Sequence, residues 1–351
     1  MMEEHLEGVP NLLPYEVVAR FPLGYFLENI AVRSNGTLLV TNMIVGQIFY
    51  VDPRVKDPES TIQLIHDFNT TSEAPLEDDE ETGIYGSKNH AEAIIEHPKI
   101  ADLFYAFSGV HGKADTWAVY SLDFRGFDPS RGAATTVVEK LADIPGAGWL
   151  NGATMIPQTL TLLMAESQQC KIFAFDLQTR KVSIWIEDER LGKVTTRPPW
   201  PALNGLEYFR GQIFGTVTDR GTLVKMQVDE TGKYKTDSLK VVVDQLIGDD
   251  FAFDCEGSAY VATNPAHTVL KFVKVGVEPQ KEERLKILGG LDKKETAGPT
   301  ALAFGRGDND SDCIYVVTCG GVVNSIGDNG PGQALIAKVC VGVKGEARDF
   351  E

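Results

Sequence analysis

One pattern recurs six times along the chain: a buried-strand run that ends in small polar residues and is followed by a second strand. The first members are Leu38 to Asn42 (LLVTN), Leu103 to Ser108 (LFYAFS), Thr161 to Ser167 (TLLMAES), Gln212 to Asp219 (QIFGTVTD), Ser258 to Asn264 (SAYVATN) and Cys313 to Cys319 (CIYVVTC). Their partners begin at Gln47, Thr116, Lys171, Thr222, Thr268 and Ala334. The spacing between first members runs from 46 residues (Gln212 to Ser258) to 65 (Leu38 to Leu103). Short strands at such a period, with no long amphipathic helix, point to an all-β protein: a six-bladed β-propeller with four antiparallel strands per blade.

Blade one can be read whole as Phe26 to Val32, Leu38 to Asn42, Gln47 to Pro53 and Thr61 to Phe68, with Asn35-Gly36 as a two-residue hairpin turn. Comparable fourth strands begin at Thr135, Lys181, Leu239 and Arg284, but nothing follows Ala334 to Val341 to complete blade six. The segment at residues 15–22 (YEVVARFP) has no blade of its own and is expected to close the last one, which removes an open sheet edge. The chain of 351 residues is therefore read as a single domain, 1–351, with residues 72–88 and 188–203 as candidate lid loops. The first loop carries the acidic run Glu77 to Glu81, also readable as a solvated loop; the second carries Pro198, Pro199, Trp200 and Pro201.

With 33 Lys and Arg against 50 Asp and Glu, the net charge is −17, which opposes binding to phosphate backbones and anionic lipid. Nucleic acid is excluded as a partner, and no apolar run is long enough to span a bilayer. The acidic start lacks a secretory h-region, and the five cysteines read as reduced small hydrophobes, so a cytoplasmic location is expected. Serine-hydrolase elbow, P-loop and C-x-x-C motifs are all missing. Asp308, Asp310 and Asp312 imitate the opening of a calcium loop, but Cys313 and Cys319 occupy the positions that need Gly and Glu.

The innermost strand of each blade lines the central channel, and its first residues lie at one mouth. Those starts read Glu28, the Asn89-His90-Glu92 stretch, Asn151, Asn204, Asp249 with Asp250, and Thr300. A ring of carboxylates and amides suits a hard cation such as Ca²⁺. Asn151-Gly152 and Asn204-Gly205 are equally readable as plain turns, and Asp249 and Asp250 compete for one place in the ring.

On these residues the chain resembles the six-bladed propellers of the SMP-30/gluconolactonase/luciferin-regenerating-like superfamily over nearly its whole length. The resemblance implies a divalent cation, usually calcium, held by Glu28, Asn151, Asn204 and Asp249. Sugar-lactone hydrolases of this kind carry Arg-x-Asn before the first Asn, whereas this chain has Trp149-Leu150-Asn151. An indole in place of a guanidinium favours flat or apolar ligands.

The run FLENIAVRSNGTLLVT resembles more closely the fungal natural-product branch, which includes hetero-Diels-Alderases joining a tropolone quinone methide to a sesquiterpene such as humulene. That resemblance implies a pericyclase needing no cofactor, with small, largely apolar substrates as its partners. The candidate catalytic residues are Asn151, Asn204, His90 and Asp249; the candidate substrate walls are Phe26, Tyr85, Trp149, Trp200, Phe251 and Thr300. A Ca²⁺-dependent lactonase or esterase is the alternative, and a non-catalytic propeller scaffold the third reading.

Overall fold

A computed structural model describes residues 12–70, 86, 88–195, 200–279, 283–328 and 330–347. Among the described residues, twenty-four strands form six four-stranded antiparallel sheets arranged as a propeller. Strand β1 (Tyr15–Arg20) comes first. Blade one is β2 (Leu27–Val32), β3 (Leu38–Asn42), β4 (Gln47–Val51) and β5 (Gln63–Asp67); blade two is β6 (Asn89–Glu96), β7 (Leu103–Val110), β8 (Ala118–Asp123) and β9 (Val137–Asp143). Blade three is β10 (Leu150–Ile156), β11 (Thr161–Glu166), β12 (Lys171–Asp176) and β13 (Lys181–Glu187). Blade four is β14 (Leu203–Phe209), β15 (Gln212–Val217), β16 (Thr222–Gln227) and β17 (Lys240–Val243). Blade five is β18 (Phe251–Phe253), β19 (Ala259–Thr263), β20 (Thr268–Phe272) and β21 (Arg284–Gly289). Blade six is β22 (Pro299–Phe304), β23 (Cys313–Thr318) and β24 (Leu335–Cys340), completed by β1.

Closure happens as the missing fourth strand requires. β1 pairs antiparallel with β24, from Tyr15 opposite Val339 to Arg20 opposite Leu335. Val18, Ala19 and Phe21 are buried among residues of blades one and six, including Leu27, Phe49, Tyr315 and Ile336. The buried Val and Phe side chains each contribute about 1.5–3 kcal/mol from removal of apolar area from water. The remaining core lies in the same way at the seams between blades. Phe104, Phe124 and Ile48 join blades one and two, and Phe209, Phe214 and Phe253 join four and five.

Two expectations need correction. The Asn35-Gly36 turn is not a two-residue hairpin. Gly36 alone takes a left-handed backbone (φ 82°), its N–H bonds to Arg33 O at 2.9 Å, and Asn35 instead uses its side chain to accept from Thr37 N at 3.1 Å. Nor are all five cysteines reduced: Cys313 and Cys340 are direct register partners on β23 and β24 and form a disulfide, leaving Cys170, Cys255 and Cys319 free. The two lie 27 residues apart in sequence, so only the register makes them neighbours. The reduced-thiol premise behind the cytoplasmic expectation does not hold for that pair. No helix among the described residues is long and apolar enough to cross a membrane.

The calcium-loop imitation resolves as a structural staple. Asp310 is buried, accepting from Gly307 N at 2.7 Å and from the Tyr315 hydroxyl at 2.7 Å.

Candidate functional site

The channel mouth is built by one repeated irregularity. On β2, two register steps on β3 face three on the inner strand, so Glu28 and Asn29 bulge between Leu27 and Ile30. The same extra residue appears between Ala91 and Ile94 on β6, Leu150 and Ala153 on β10, Leu203 and Leu206 on β14, and Pro299 and Ala301 on β22. In blade five Asp249 and Asp250 both bond to Ala262, Asp249 through its N–H (2.8 Å) and Asp250 through its carbonyl (3.0 Å). A bulge re-aims a side chain while pairing continues on either side. Here it defines a ring of stations: Glu28, Glu92, Asn151, Asn204, Asp249 and Thr300.

This also decides between the two readings of Asn-Gly. Gly152 and Gly205 lie inside β10 and β14, not in turns. A Cβ on Gly152 would collide with Asn204 O, and one on Gly205 would lie 2.6 Å from Asp250 Oδ1, so glycine lets the next blade's backbone approach the axis. Thr41 and Thr216, opposite two of the bulges, satisfy the displaced N–H groups of Asn29 and Gly205 at 2.9 Å each.

Glu28, Asn151, Asn204 and Asp249 line one cavity. Its walls are Phe26, Met43, Trp149, Pro265 and Val323, and Trp200 and Pro201 also line it. Thr218 and Asn264 contribute polar atoms. The cavity is small, about 30 Å³, room for a few water-sized groups.

The electrostatics are dominated by crowded carboxyls. Burial pushes Glu28 well above the ordinary carboxyl range, and Asp249, Glu92 and Asp250 add to the shift. Asp249 is raised likewise, by burial first and Asp250 second, against hydrogen bonds from Asn204 (2.9 Å) and Asn264. Among the described residues no Lys, Arg or His forms an ion pair with Glu28, Asp249 or Asp250. Both carboxyls are thus held toward the protonated form by burial and by their acidic neighbours. Asp250 is held outside the cavity lining, accepting from Asn29 Nδ2 at 2.6 Å and Phe251 N at 2.9 Å, with burial raising it to about 6. The choice left open between Asp249 and Asp250 thus falls on Asp249 for the cavity.

The other candidates divide. Phe26, Trp149 and Trp200 are walls. Phe251 is not: it is buried in the seam of blades four and five with Phe214 and Phe253, because the residue after the bulge turns away from the axis. Thr300 is fully buried and staples blades six and one through its hydroxyl, donating to Leu27 O at 2.7 Å. His90 is also fully buried and lies behind the wall, with Nδ1 2.9 Å from Glu92 Oε1, so it does not reach the cavity. His111 packs edge-on against Trp149 at 4.6 Å, and burial, His90 and Lys193 lower it to about 4. Tyr85, the acidic run Glu77 to Glu81, and Pro198 and Pro199 lie outside the described residues.

Sequence reasoning missed Met43, Thr218, Asn264, Pro265 and Val323. Part of the signal was there, in the polar ends of the second strands. Asn42 accepts from Phe26 N (3.0 Å), Glu166 from Gly148 N and Trp149 N (2.9 Å each), and the Thr218 hydroxyl donates to Gly248 O (2.6 Å). Each holds the segment that enters an inner strand.

No family profile matches the chain. A Sarocladium schorii protein that carries the description hetero-Diels-Alderase is 23% identical over 341 residues, covering 88% of this chain and 79% of the relative. A Phoma protein with the same description is 23% identical over 330 residues, covering 87% and 86%. Among solved structures, a luciferin-regenerating enzyme superposes with TM-score 0.63 at 15% identity, covering 96% of this chain and 98% of that one. Regucalcin from Agrobacterium tumefaciens, described as a calcium-binding protein, gives 0.60 at 14%, covering 97% of each chain. The likeness expected from the sequence, to these propellers and to the hetero-Diels-Alderases, is what the comparisons return.

Proposed function

We propose that this chain is a biosynthetic enzyme of the hetero-Diels-Alderase kind, joining a tropolone-type quinone methide to a sesquiterpene alkene at the channel mouth. The observation that carries the reading is a pair of buried carboxyls, Glu28 and Asp249, both pushed above the ordinary carboxyl range, in a cavity walled by indole and hydrocarbon. The descriptions of the two curated relatives support it.

Unmasking the quinone methide is a dehydration. In this reading one carboxyl of the pair is protonated and the other ionised; the neutral member gives its proton to the departing hydroxyl, the C–O bond breaks and water leaves. The ionised member takes the proton of the ring enol, so the pair is regenerated. Cycloaddition then forms one C–C and one C–O bond with no further proton transfer, and orientation between the walls lowers its barrier by several kcal/mol. In this reading the Asn151 amide hydrogen-bonds the ring oxygen and the walls that include Trp149, Phe26 and Met43 select the face of the alkene; all four residues line the cavity.

A second reading is a cation-dependent lactonase, and one observation favours it: Asn204 Oδ1 is buried without a hydrogen-bond partner. That oxygen, the Asn151 amide and the carboxylates of Glu28 and Asp249 form a hard-oxygen set that fits a Ca²⁺-like ion. Among the described residues no three His, Cys, Asp or Glu side chains are arranged to hold a metal, so the amides would have to complete the shell. Bound there, a cation would supply Lewis acidity toward a lactone carbonyl. The indole at 149, where a sugar-gripping guanidinium is expected, places this reading second.

The deciding experiment gives the purified protein a hydroxymethyl tropolone with humulene, and in parallel a sugar lactone, each with and without chelator. Stereoselective adduct formation that survives chelation is expected. Chelator-sensitive lactone hydrolysis without adduct overturns the proposal in favour of the second reading.

A further inference from the structure

We infer that Glu92 is a positioning residue that locks the Trp149 indole as the selective wall of the cavity. Glu92 occupies the blade-two station of the bulge ring, yet it is fully buried and does not line the cavity. Its Oε1 accepts from Trp149 Nε1 at 3.0 Å and lies 2.9 Å from His90 Nδ1. His111 buttresses the same indole edge-on at 4.6 Å, and His90 is itself backed by Trp117 at 6.4 Å between ring centroids. A buried indole N–H needs an acceptor, and the acceptor's direction selects one rotamer of a flat ring. The backbone at the same residue is fixed independently by Glu166, which accepts from Gly148 N and Trp149 N.

A second observation separates this from ordinary packing. Glu92 Oε2 is buried with no hydrogen-bond partner. A buried acceptor left unsatisfied is destabilising, so packing alone does not account for a carboxylate at this station. Retaining the carboxylate is understandable if holding the indole, rather than holding the fold, is what the position does.

The inference rests on the proposed reading only where it concerns product selectivity, so the test has a readout that needs no turnover. The protein has four tryptophans, and labelling with 5-fluorotryptophan gives each a ¹⁹F resonance, with Trp149→Phe identifying the relevant one. Glu92→Leu removes the acceptor and Glu92→Gln keeps one; Glu92→Met takes the place of Glu92→Leu if the latter does not accumulate folded. In the Leu variant the Trp149 resonance should move or broaden while the other three stay. Its kcat should fall about tenfold or more, KM should change less than threefold, and facial selectivity should erode, as expected when a wall group is misplaced by an ångström or so. Glu92→Gln should restore the resonance and most of kcat.

An unchanged Trp149 resonance and product ratio in Glu92→Leu overturns the inference, as does a Gln variant as impaired as the Leu variant. If the wild-type protein makes no adduct but Glu92→Leu still displaces the Trp149 resonance, the reaction assignment falls and the positioning role stands.

Discussion

Glu92 and Glu96 sit on the same strand, β6, both buried, at opposite mouths of the channel, and they keep opposite company. Glu96 accepts from Asp102 N at 2.8 Å through one oxygen and binds Arg306 at 2.6 Å through the other. Glu92 shares one oxygen between His90 and Trp149 and leaves the other without a partner. The contrast extends around each mouth. At the Glu96 end, Asp254 takes two backbone N–H groups and the Tyr260 hydroxyl, and Asp310 takes Gly307 N and the Tyr315 hydroxyl. At the other end Glu28 and Asp249 crowd each other. Buried carboxylates with complete sets of donors hold a fold together; those pushed against one another cost stability and are tolerated where chemistry uses them.

The comparison breaks most readily at Glu96. Glu96→Ala removes a fully buried carboxylate that binds the partly buried Arg306 guanidinium and accepts from Asp102 N, and should cost about 2–4 kcal/mol. Urea unfolding should show that loss, while kcat per folded molecule stays near wild type. Glu28→Gln should do the reverse. With one of the crowded carboxyls replaced by an amide, the unfolding midpoint should hold or rise, while turnover should fall about 100-fold, the scale of losing a general acid. If Glu28→Gln destabilises as much as Glu96→Ala, the two mouths do not differ in kind.

How much of this was legible in the sequence follows from which physics is local. Alternating strand patterns are local, so the strands and the closing role of Tyr15–Arg20 could be read directly. Glu28, Asn151, Asn204 and Asp249 were legible because each stands at a strand start and the repeat puts starts at one mouth. Phe251 and Thr300 stand at starts too, but a bulge shifts the facing of side chains, and no residue type announces it in blade five or six. His90 looked exposed to the channel for the same reason. The Cys313–Cys340 pairing depends on the register between β23 and β24, which the sequence pattern leaves open.

A smaller effect sharpens the comparison through pH. His111 at the crowded mouth is lowered to about 4 from the ordinary histidine value. Between those values the unfolded chain binds more protons than the folded one, so this group's stabilisation is present above about pH 6.5 and lost as pH falls toward 4. The ring is partly solvent-exposed, which discounts the loss to roughly 1–2 kcal/mol. His111→Phe, which keeps an aromatic ring against Trp149, should be stabilised relative to wild type more at pH 5 than at pH 7.5, as read from urea midpoints. An equal difference at the two values would mean that His111 does not feel the mouth's burial.

The smallest effect tests completeness at the satisfied end. Asp310 Oδ2 has the Tyr315 hydroxyl at 2.7 Å, whereas Asp254 Oδ2 has both the Tyr260 hydroxyl at 3.2 Å and Lys271 Nζ at 3.5 Å. Tyr315→Phe should cost about 1–2 kcal/mol, because a buried carboxylate oxygen loses its donor, and Tyr260→Phe less, because the ammonium remains. Equal losses in thermal or urea unfolding would mean that the number of donors does not set the stability of this mouth. The explanation of why Glu92 and Glu96 differ would then lose its physical basis.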